Sequence, residues 1–334
     1  MTTQDSARKQ ERKQSAGKSP VEQRVGGLRI GLDIGGTKIE GVAIDAAGHT
    51  VASTRKPSRP GNEQVIEDLA QSVRELQAQA GSEYSQEASS LGIGIPGRVD
   101  SVSGTVWDAV NLHIRKVELG TELSRELGMP VGIENDVNAA ALGAYADSKV
   151  PTMVFINLGT GLAAGIIRQG HIDHGASGAI GEIGHIPVEL HRFACKCGQQ
   201  GCLETVASGS ALARLWPQAN PPLPDIIRRS REGNLQAEQV LSMFAQGVAT
   251  VIQIVALSID PNTIVIGGGL TKTGPDLLNV VNTELERQAA NSHFIDSLKL
   301  PERLSLVPAE RAIGAIGAAL AGAQQAKSGA LPGK

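Results

Sequence analysis

Aromatic residues make up only 2% of the 334-residue chain, so its interior has to be packed with Ala, Val, Ile and Leu rather than with rings. Charge of one sign is lacking too. Lys plus Arg number 31 against 34 for Asp plus Glu, a net charge of -3, which excludes a general attraction to polyanions or anionic membranes. There are three cysteines, all between Cys195 and Cys202. They are too few and too close for a secreted disulfide framework, and point to a reducing cytoplasm and a metal site. No apolar run reaches the roughly 18 residues of a membrane span. The polar stretch 1–27 has no apolar centre of the kind a signal peptide needs. The expectation is a cytoplasmic protein with a disordered polar leader over 1–27 and neither membrane nor nucleic acid as partner. The cluster Arg8, Lys9, Arg12, Lys13 reads as a solvated tail.

What the chain does have is glycine, 40 residues of it, and hydrophobic residues at 41%, enough for sizeable cores. At about 150 residues per domain the length suggests two units or one large one. Order is expected from Leu28, where an alternating apolar strand meets Gly35-Gly36-Thr37-Lys38 and a second strand follows at Val42–Ile44. Val65, Leu69, Val73 and Leu76 recur at helical spacing, and Leu91–Ile95 is a strand closed by Pro96-Gly97. A helix over about 119–127 precedes a strand at 130–133, which runs into Glu134-Asn135-Asp136 and then the Ala-rich helix 138–146. Sliding the chain by 124 positions brings Asp33-Ile34-Gly35-Gly36-Thr37 onto Asn157-Leu158-Gly159-Thr160-Gly161, Gly41 onto Gly165 and Val42-Ala43 onto Ile166-Ile167. This is the signature of an internal duplication. A long buried-type helix around 240–255 leads into the strand 263–266 and Gly267-Gly268-Gly269, and a small-residue helix is expected over 312–323.

Glycine turns after strands let backbone N–H groups approach phosphate oxygens, and three such turns point to a nucleotide. Each taken alone also fits a plain hairpin. None has the spacing of a P-loop or of a dinucleotide fold. Asp33 could hold Mg²⁺ beside those phosphates or cap its turn. Asn135-Asp136 lies at the carboxyl end of a strand, where open α/β sheets bind ligands. Asp136 there could take a proton from an attacking hydroxyl, as kinase chemistry requires, or serve as a helix N-cap. Cys195-x-Cys197-Gly198-x-x-Gly201-Cys202, with His185 ten residues before the first cysteine, is the sharpest local signal. Three thiolates and one imidazole make a closed tetrahedral Zn²⁺ site, hence a structural one. Buried free thiols are the alternative, but the charged and Gln neighbours do not look like core. Glu182 and Glu204 flank this loop and could face sugar hydroxyls together with the second nitrogen of His185, or be surface residues. His171, His174, His191 and His293 read as ordinary loop or surface residues.

LDIGGTKIEG, GIGIPGRVD, ENDVNAAALG, INLGTGLAAG, GEIGH, CKCGQQGCLE and IVIGGG occur in this order over about Ile30 to Ala321. They resemble the ROK group of sugar kinases and repressors, most specifically through GEIGH with CxCGxxGC. The resemblance implies a duplicated, actin-like (ribonuclease H-like) α/β ATPase fold of two domains with nucleotide and sugar in the cleft between them, and a homodimer or tetramer. The implied division is a small α/β domain over 28–137, to which a C-terminal helix at 312–325 returns, and a large one over 138–311 holding the zinc loop 185–202. By motif, Asp136 corresponds to the catalytic base, and Gly97, Arg98, Asn135, Glu182, His185 and Glu204 to hexose contacts. Asp33, Gly35, Gly36, Thr37, Lys38, Gly159, Thr160, Gly161 and Gly267 to Gly269 correspond to the ATP side. The repressors of this group carry a DNA-reading module of roughly 70 to 80 residues before the first glycine turn. Only 27 residues precede Leu28 here, without apolar periodicity, so the expectation is a kinase. The wording most resembles glucokinases, phosphorylating the 6-hydroxyl of glucose with ATP and Mg²⁺. An N-acetylmannosamine or N-acetylglucosamine kinase, a fructokinase, a polyphosphate-using variant and a non-catalytic sugar sensor are the alternatives.

Overall fold

The computed structural model describes residues 27–81, 88–188, 193–308 and 310–329; the expected leader, apart from Gly27, and His191 lie outside them. Two five-stranded sheets follow one plan. The first is built from β1 (Arg29–Ile34), β2 (Lys38–Ile44), β3 (Thr50–Pro57), α1 (Asn62–Ala80) and β4 (Ser90–Ile95). It continues through a small antiparallel sheet of β5 (Arg98–Asp100), β6 (Thr105–Ala109) and β7 (Ile114–Val117), then α2 (Leu119–Leu127), β8 (Val131–Asn135) and α3 (Asp136–Tyr145). The second half runs β9 (Thr152–Leu158), β10 (Leu162–Arg168), β11 (His171–Ile172), α4 (Gly209–Leu215), α5 (Pro222–Arg231), α6 (Leu235–Ile259), β12 (Thr263–Gly267), α7 (Pro275–Ala289), α8 (His293–Ser297), β13 (Leu304–Leu306) and α9 (Ile313–Ser328).

The strand orders are β3-β2-β1-β4-β8 and β11-β10-β9-β12-β13. In each, an antiparallel hairpin is followed by two parallel additions. The duplication read from the sequence is therefore a repeated topology, with one correction. β1 maps onto β9 at an offset of 124, but Gly41 pairs with Leu32 while Gly165 pairs with Phe155, so β2 maps onto β10 at 123. The second turn is a residue shorter, and matching glycine to glycine had hidden this.

Alternation in the first sheet explains its packing. In Leu91-Gly92-Ile93-Gly94-Ile95 the branched side chains point toward α1 and α2, in the core that holds Leu69, Val73, Leu76 and Leu123. The glycines line the other face. There α9 lies so close that a Cβ at Gly31 or Gly92 would fall 2.0 or 1.8 Å from a carbonyl oxygen of α9. The strand is buried along its whole length, as a central strand covered on both faces must be. α9 thus packs on the sheet of the first half, whereas α3 packs on β9 and β10 of the second. The two helices touch each other between the sheets, where a Cβ at Gly317 would be 1.7 Å from the Ala139 carbonyl oxygen.

The second core is the larger. It joins Val154, Ile156 and Ile166 of the second sheet to Trp216 after α4, to Phe244, Val248, Val251 and Ile252 of α6, and to Val281 of α7. Among the described residues α6 is the single helix long and apolar enough to cross a membrane by length and composition. Here its apolar face is buried in this core.

Candidate functional site

The end of β8 and the start of α3 form the floor of the site. Asn135 has φ -62° and ψ 143°, extended backbone that places its side chain over the first turn of α3. Its Oδ1 accepts from the backbone N–H of Val137 at 2.9 Å and of Asn138 at 3.3 Å, while its Nδ2 donates to the Gly97 carbonyl oxygen at 3.2 Å. Asn135 is therefore the N-cap, and it also ties the loop after β4 to this junction. Asp136 is the first helical residue, and its Oδ1 accepts from the Val137 N–H at 2.9 Å. Burial pushes the Asp136 carboxyl above the usual carboxylate range, backbone N–H groups pull it back, and the Glu182 charge adds to the rise.

Asp33, near the end of β1, stands on the other side of Gly94. A Cβ at Gly94 would lie 3.7 Å from Asp33 Oδ1 and 3.8 Å from the Asp136 Cα. Burial and then the Asp136 charge push Asp33 up to about 7, against the pull of Lys38. With Asp33 raised partly by the charge of Asp136, and Asp136 partly by that of Glu182, this corner wants either protons or a cation.

Between the sheets opens a cleft of about 570 Å³. It brings together Gly35, Gly36, Gly97, Arg98, Asn135, Asp136, Thr160, Gly161, Glu182 and Glu204 of the residues singled out from sequence. Asp33, Thr37, Lys38, Gly159, His185 and Gly267 to Gly269 do not line it. Lys38 Nζ instead meets Glu40 Oε2 at 3.1 Å. Gly159 donates its N–H to the Gly161 carbonyl at 3.1 Å within its own turn. Gly268, at φ +87°, packs against the end of β9, where a Cβ would be 2.4 Å from Asn157 Oδ1. Arg98 stacks 4.7 Å from the centroid of the Trp107 ring. Glu204 Oε2 accepts from the Leu162 N–H at 3.0 Å, so this carboxylate is fixed to the start of β10 rather than free on the surface.

Below the wall that carries Glu182 and Glu204, the ligand atoms of His185, Cys195, Cys197 and Cys202 all lie within 4.8 Å of one another. Cys197 and Cys202 Sγ are 3.7 Å apart and Cys195 Sγ is 3.6 Å from His185 Nδ1. A tetrahedron with Zn–S bonds of about 2.3 Å has edges of about 3.8 Å, so the four groups fit one Zn²⁺. Hydrogen bonds from Gln199 push the Cys197 thiol down to about 6, while burial and the neighbouring thiols push Cys202 up to about 12. His185 turns Nδ1 to the thiols, leaving Nε2 3.8 Å from Glu182 Oε2.

Sequence reasoning missed several polar residues of the cleft, among them Asn111, whose Cβ is 2.7 Å from where a Gly36 Cβ would sit, Asn157, Glu134 and His174. His174, expected to be an ordinary loop residue, holds its Nε2 2.8 Å from Glu134 Oε2. No local pattern marks a pair 40 residues apart.

The sequence profile of the ROK family matches residues 29–324. The chain is similar to a glucokinase of Halalkalibacterium halodurans, 31% identical over 283 residues that cover 78% of this chain and 86% of that protein. It is also similar to an N-acetyl-D-glucosamine kinase of Yersinia enterocolitica, 32% identical over 73% of this chain and 84% of that one. A crystal structure of a ROK family glucokinase from Streptomyces griseus, in complex with glucose and AMPPNP, superposes with a TM-score of 0.71 at 30% identity, covering 89% of this chain and all of that one.

Proposed function

The chain belongs to the ROK family and is an ATP-dependent sugar kinase; from that premise we propose that it phosphorylates the 6-hydroxyl of glucose, with Asp136 as the general base. The observation that carries this reading is the carboxyl of Asp136. It stands in the cleft at a strand end, with its proton affinity raised by burial and with the capping duty taken over by Asn135. A carboxylate whose proton affinity is raised toward neutrality is the better acceptor for a hydroxyl proton. As the O–H bond breaks, the proton passes to Asp136, the sugar oxygen bonds to the γ-phosphorus, and ADP leaves with the electrons of the broken P–O bond.

Positioning is shared between the halves. Asn135, Gly97 and Arg98 offer donors and acceptors from the first half, and Glu182 and Glu204 from the second, around one cleft. The backbones of Gly35-Gly36 and Thr160-Gly161 face the same space and suit the phosphate side. Mg²⁺ beside Asp33 would offset the phosphate charge and relieve the mutual repulsion of Asp33 and Asp136. Zn²⁺ held by His185, Cys195, Cys197 and Cys202 would have a closed shell, and would fix the loop from which Glu182 and Glu204 project. The two sheets are the cores of two domains that close over the sugar.

A second reading is supported by one observation: a relative at 32% identity is an N-acetyl-D-glucosamine kinase. The same base and loop would serve, with room needed beside carbon 2 of the sugar. A coupled ADP-release assay with Mg²⁺ and ATP across glucose, mannose, fructose, N-acetylglucosamine and N-acetylmannosamine separates the two. Highest kcat/KM for glucose upholds the first reading; preference for an N-acetylated sugar replaces it with the second.

A further inference from the structure

The chemistry proposed above leaves Glu134 unused, although it is a carboxyl only 3% exposed. Burying such a group costs several kcal/mol unless donors replace its water. Its donors come from both halves of the molecule. Oε1 accepts from the Asn135 N–H at 2.9 Å and from Asn138 Nδ2 at 3.1 Å, both at the start of α3. Oε2 meets His174 Nε2 at 2.8 Å. His174 belongs to the second half, on the loop that leaves β11 and runs along the opposite wall of the cleft to Glu182.

That loop is held at its root. Asp173 Oδ2 accepts from Arg168 Nε at 2.9 Å, its Oδ1 accepts from the Gly175 N–H at 3.0 Å, and Gly178 donates to the His174 carbonyl at 3.1 Å. The Glu134–His174 pair is thus a direct side-chain bridge between the strand end carrying Asn135-Asp136 and the loop carrying Glu182. It also forms a partition, since Glu134 and His174 line both the cleft and a second cavity of about 610 Å³ behind it, beside His171, Gln324 and Gln325. Opening the pair would admit water from the rear.

We propose that the Glu134–His174 pair clasps loop 173–182 to the β8–α3 junction, making His174 a positioning residue for the sugar. The assignment rests on the cleft being the hexose site. Glu134 hydrogen-bonded to the imidazole raises the His174 proton affinity, in keeping with a charged bridge, which is stronger than a neutral one.

The test uses the full-length protein with His174→Ala and His174→Gln, the glutamine amide being able to donate to the same oxygen. Loss of a charge-assisted bond should raise the KM of the preferred sugar about tenfold in the alanine variant, with the ATP KM within about twofold of wild type. Hydrogen exchange should quicken across 173–182, and His174→Gln should recover most of both effects. Unchanged exchange in 173–182 with a sugar KM within about twofold of wild type overturns the clasp. So does a fall in melting temperature and kcat without a KM change and without rescue by glutamine. If the wild-type protein phosphorylates no hexose, the functional reading fails on its own, and the exchange rates of 173–182 still decide for or against the clasp.

Discussion

The hairpins β1–β2 and β9–β10 occupy the same place in their sheets and differ where chemistry is needed. Asp33 and Asn157 are the penultimate residues of β1 and β9, so equivalent strand ends carry a carboxyl in one half and an amide in the other. The turn between them also differs. Ile34 pairs with Ile39 across four residues and Leu158 with Leu162 across three. On the rung where α9 needs room the first half has Gly31 opposite Val42, and on the matching rung where α3 needs room the second has Phe155 opposite Gly165. There a Cβ at Gly165 would lie 2.5 Å from the Ala141 Cβ. A duplicated backbone can therefore keep its topology while exchanging which strand yields to the helix. The titrating residue is free to vary, because a strand end is fixed by the ladder and not by its side chain.

The largest effect is expected at the proposed base, the carboxyl that follows the end of β8. Asp136→Asn should lower kcat by about 10³-fold, the usual worth of a positioned general base, with the melting temperature little changed; near-normal turnover would remove Asp136 from the mechanism. The contact between the exchanged helices comes next. Gly317→Ala puts a methyl 1.7 Å from the Ala139 carbonyl oxygen, with backbone on both sides. Overpacking of about 3 kcal/mol, less about 1 kcal/mol of improved helix propensity, should leave a net loss of about 2 kcal/mol in urea unfolding. A variant as stable as wild type would show that the sheets move apart for no more than about the 1 kcal/mol that helix propensity returns.

How much of this was legible depended on distance along the chain. The glycine turns and the Cys195–Cys202 cluster are local, and their residue types and spacing carry their chemistry. The strand end at Asn135-Asp136 was legible too, but not which residue caps, since Asn and Asp are both favoured there and only the backbone of Asn135 decides. The strands β1, β4 and β8 were read as apolar strands without their glycine faces, and nothing local says that the helix lying on them comes from 313–328; its return was implied by the family resemblance alone. Glu134 and His174 carried no signal, because their pair is made where a strand end meets a loop 40 residues away, and each partner alone looks ordinary.

The loop that gathers His185, Cys195, Cys197 and Cys202 sets the second half apart, with no counterpart among the described residues between β3 and β4. Cys197→Ser, or treatment with a zinc chelator, should lower the melting temperature by a few degrees and raise the hexose KM about tenfold, because Glu204 follows the last ligand by two residues. Zinc content measured on the purified protein, near one per chain before treatment and near zero after, links cause to effect. Unchanged stability and affinity after loss of the metal would reduce the site to ornament.

The smallest effect tests the strand ends themselves. In the folded chain Asp33 keeps its proton up to about pH 7, whereas in the unfolded chain it releases it near pH 4. Between those values the native state binds the extra proton, so this contribution to stability is complete below about pH 4 and is lost as pH rises through 7. Asp33→Asn should remove that loss and give a flatter plot of melting temperature against pH, measured without nucleotide or added Mg²⁺. Asp136 and His174, both raised as well, lose stability in the same direction in both proteins, so the quantity to read is the difference between the curves. Asn157→Asp is the reverse experiment: it places a titrating group at the equivalent strand end, and a pH slope appearing there would show that burial at this position, rather than any feature peculiar to the first half, sets the proton affinity. Parallel curves for wild type and Asp33→Asn would mean that Asp33 reaches water as freely as an exposed aspartate, and the case for a cation beside it would lose its electrostatic footing.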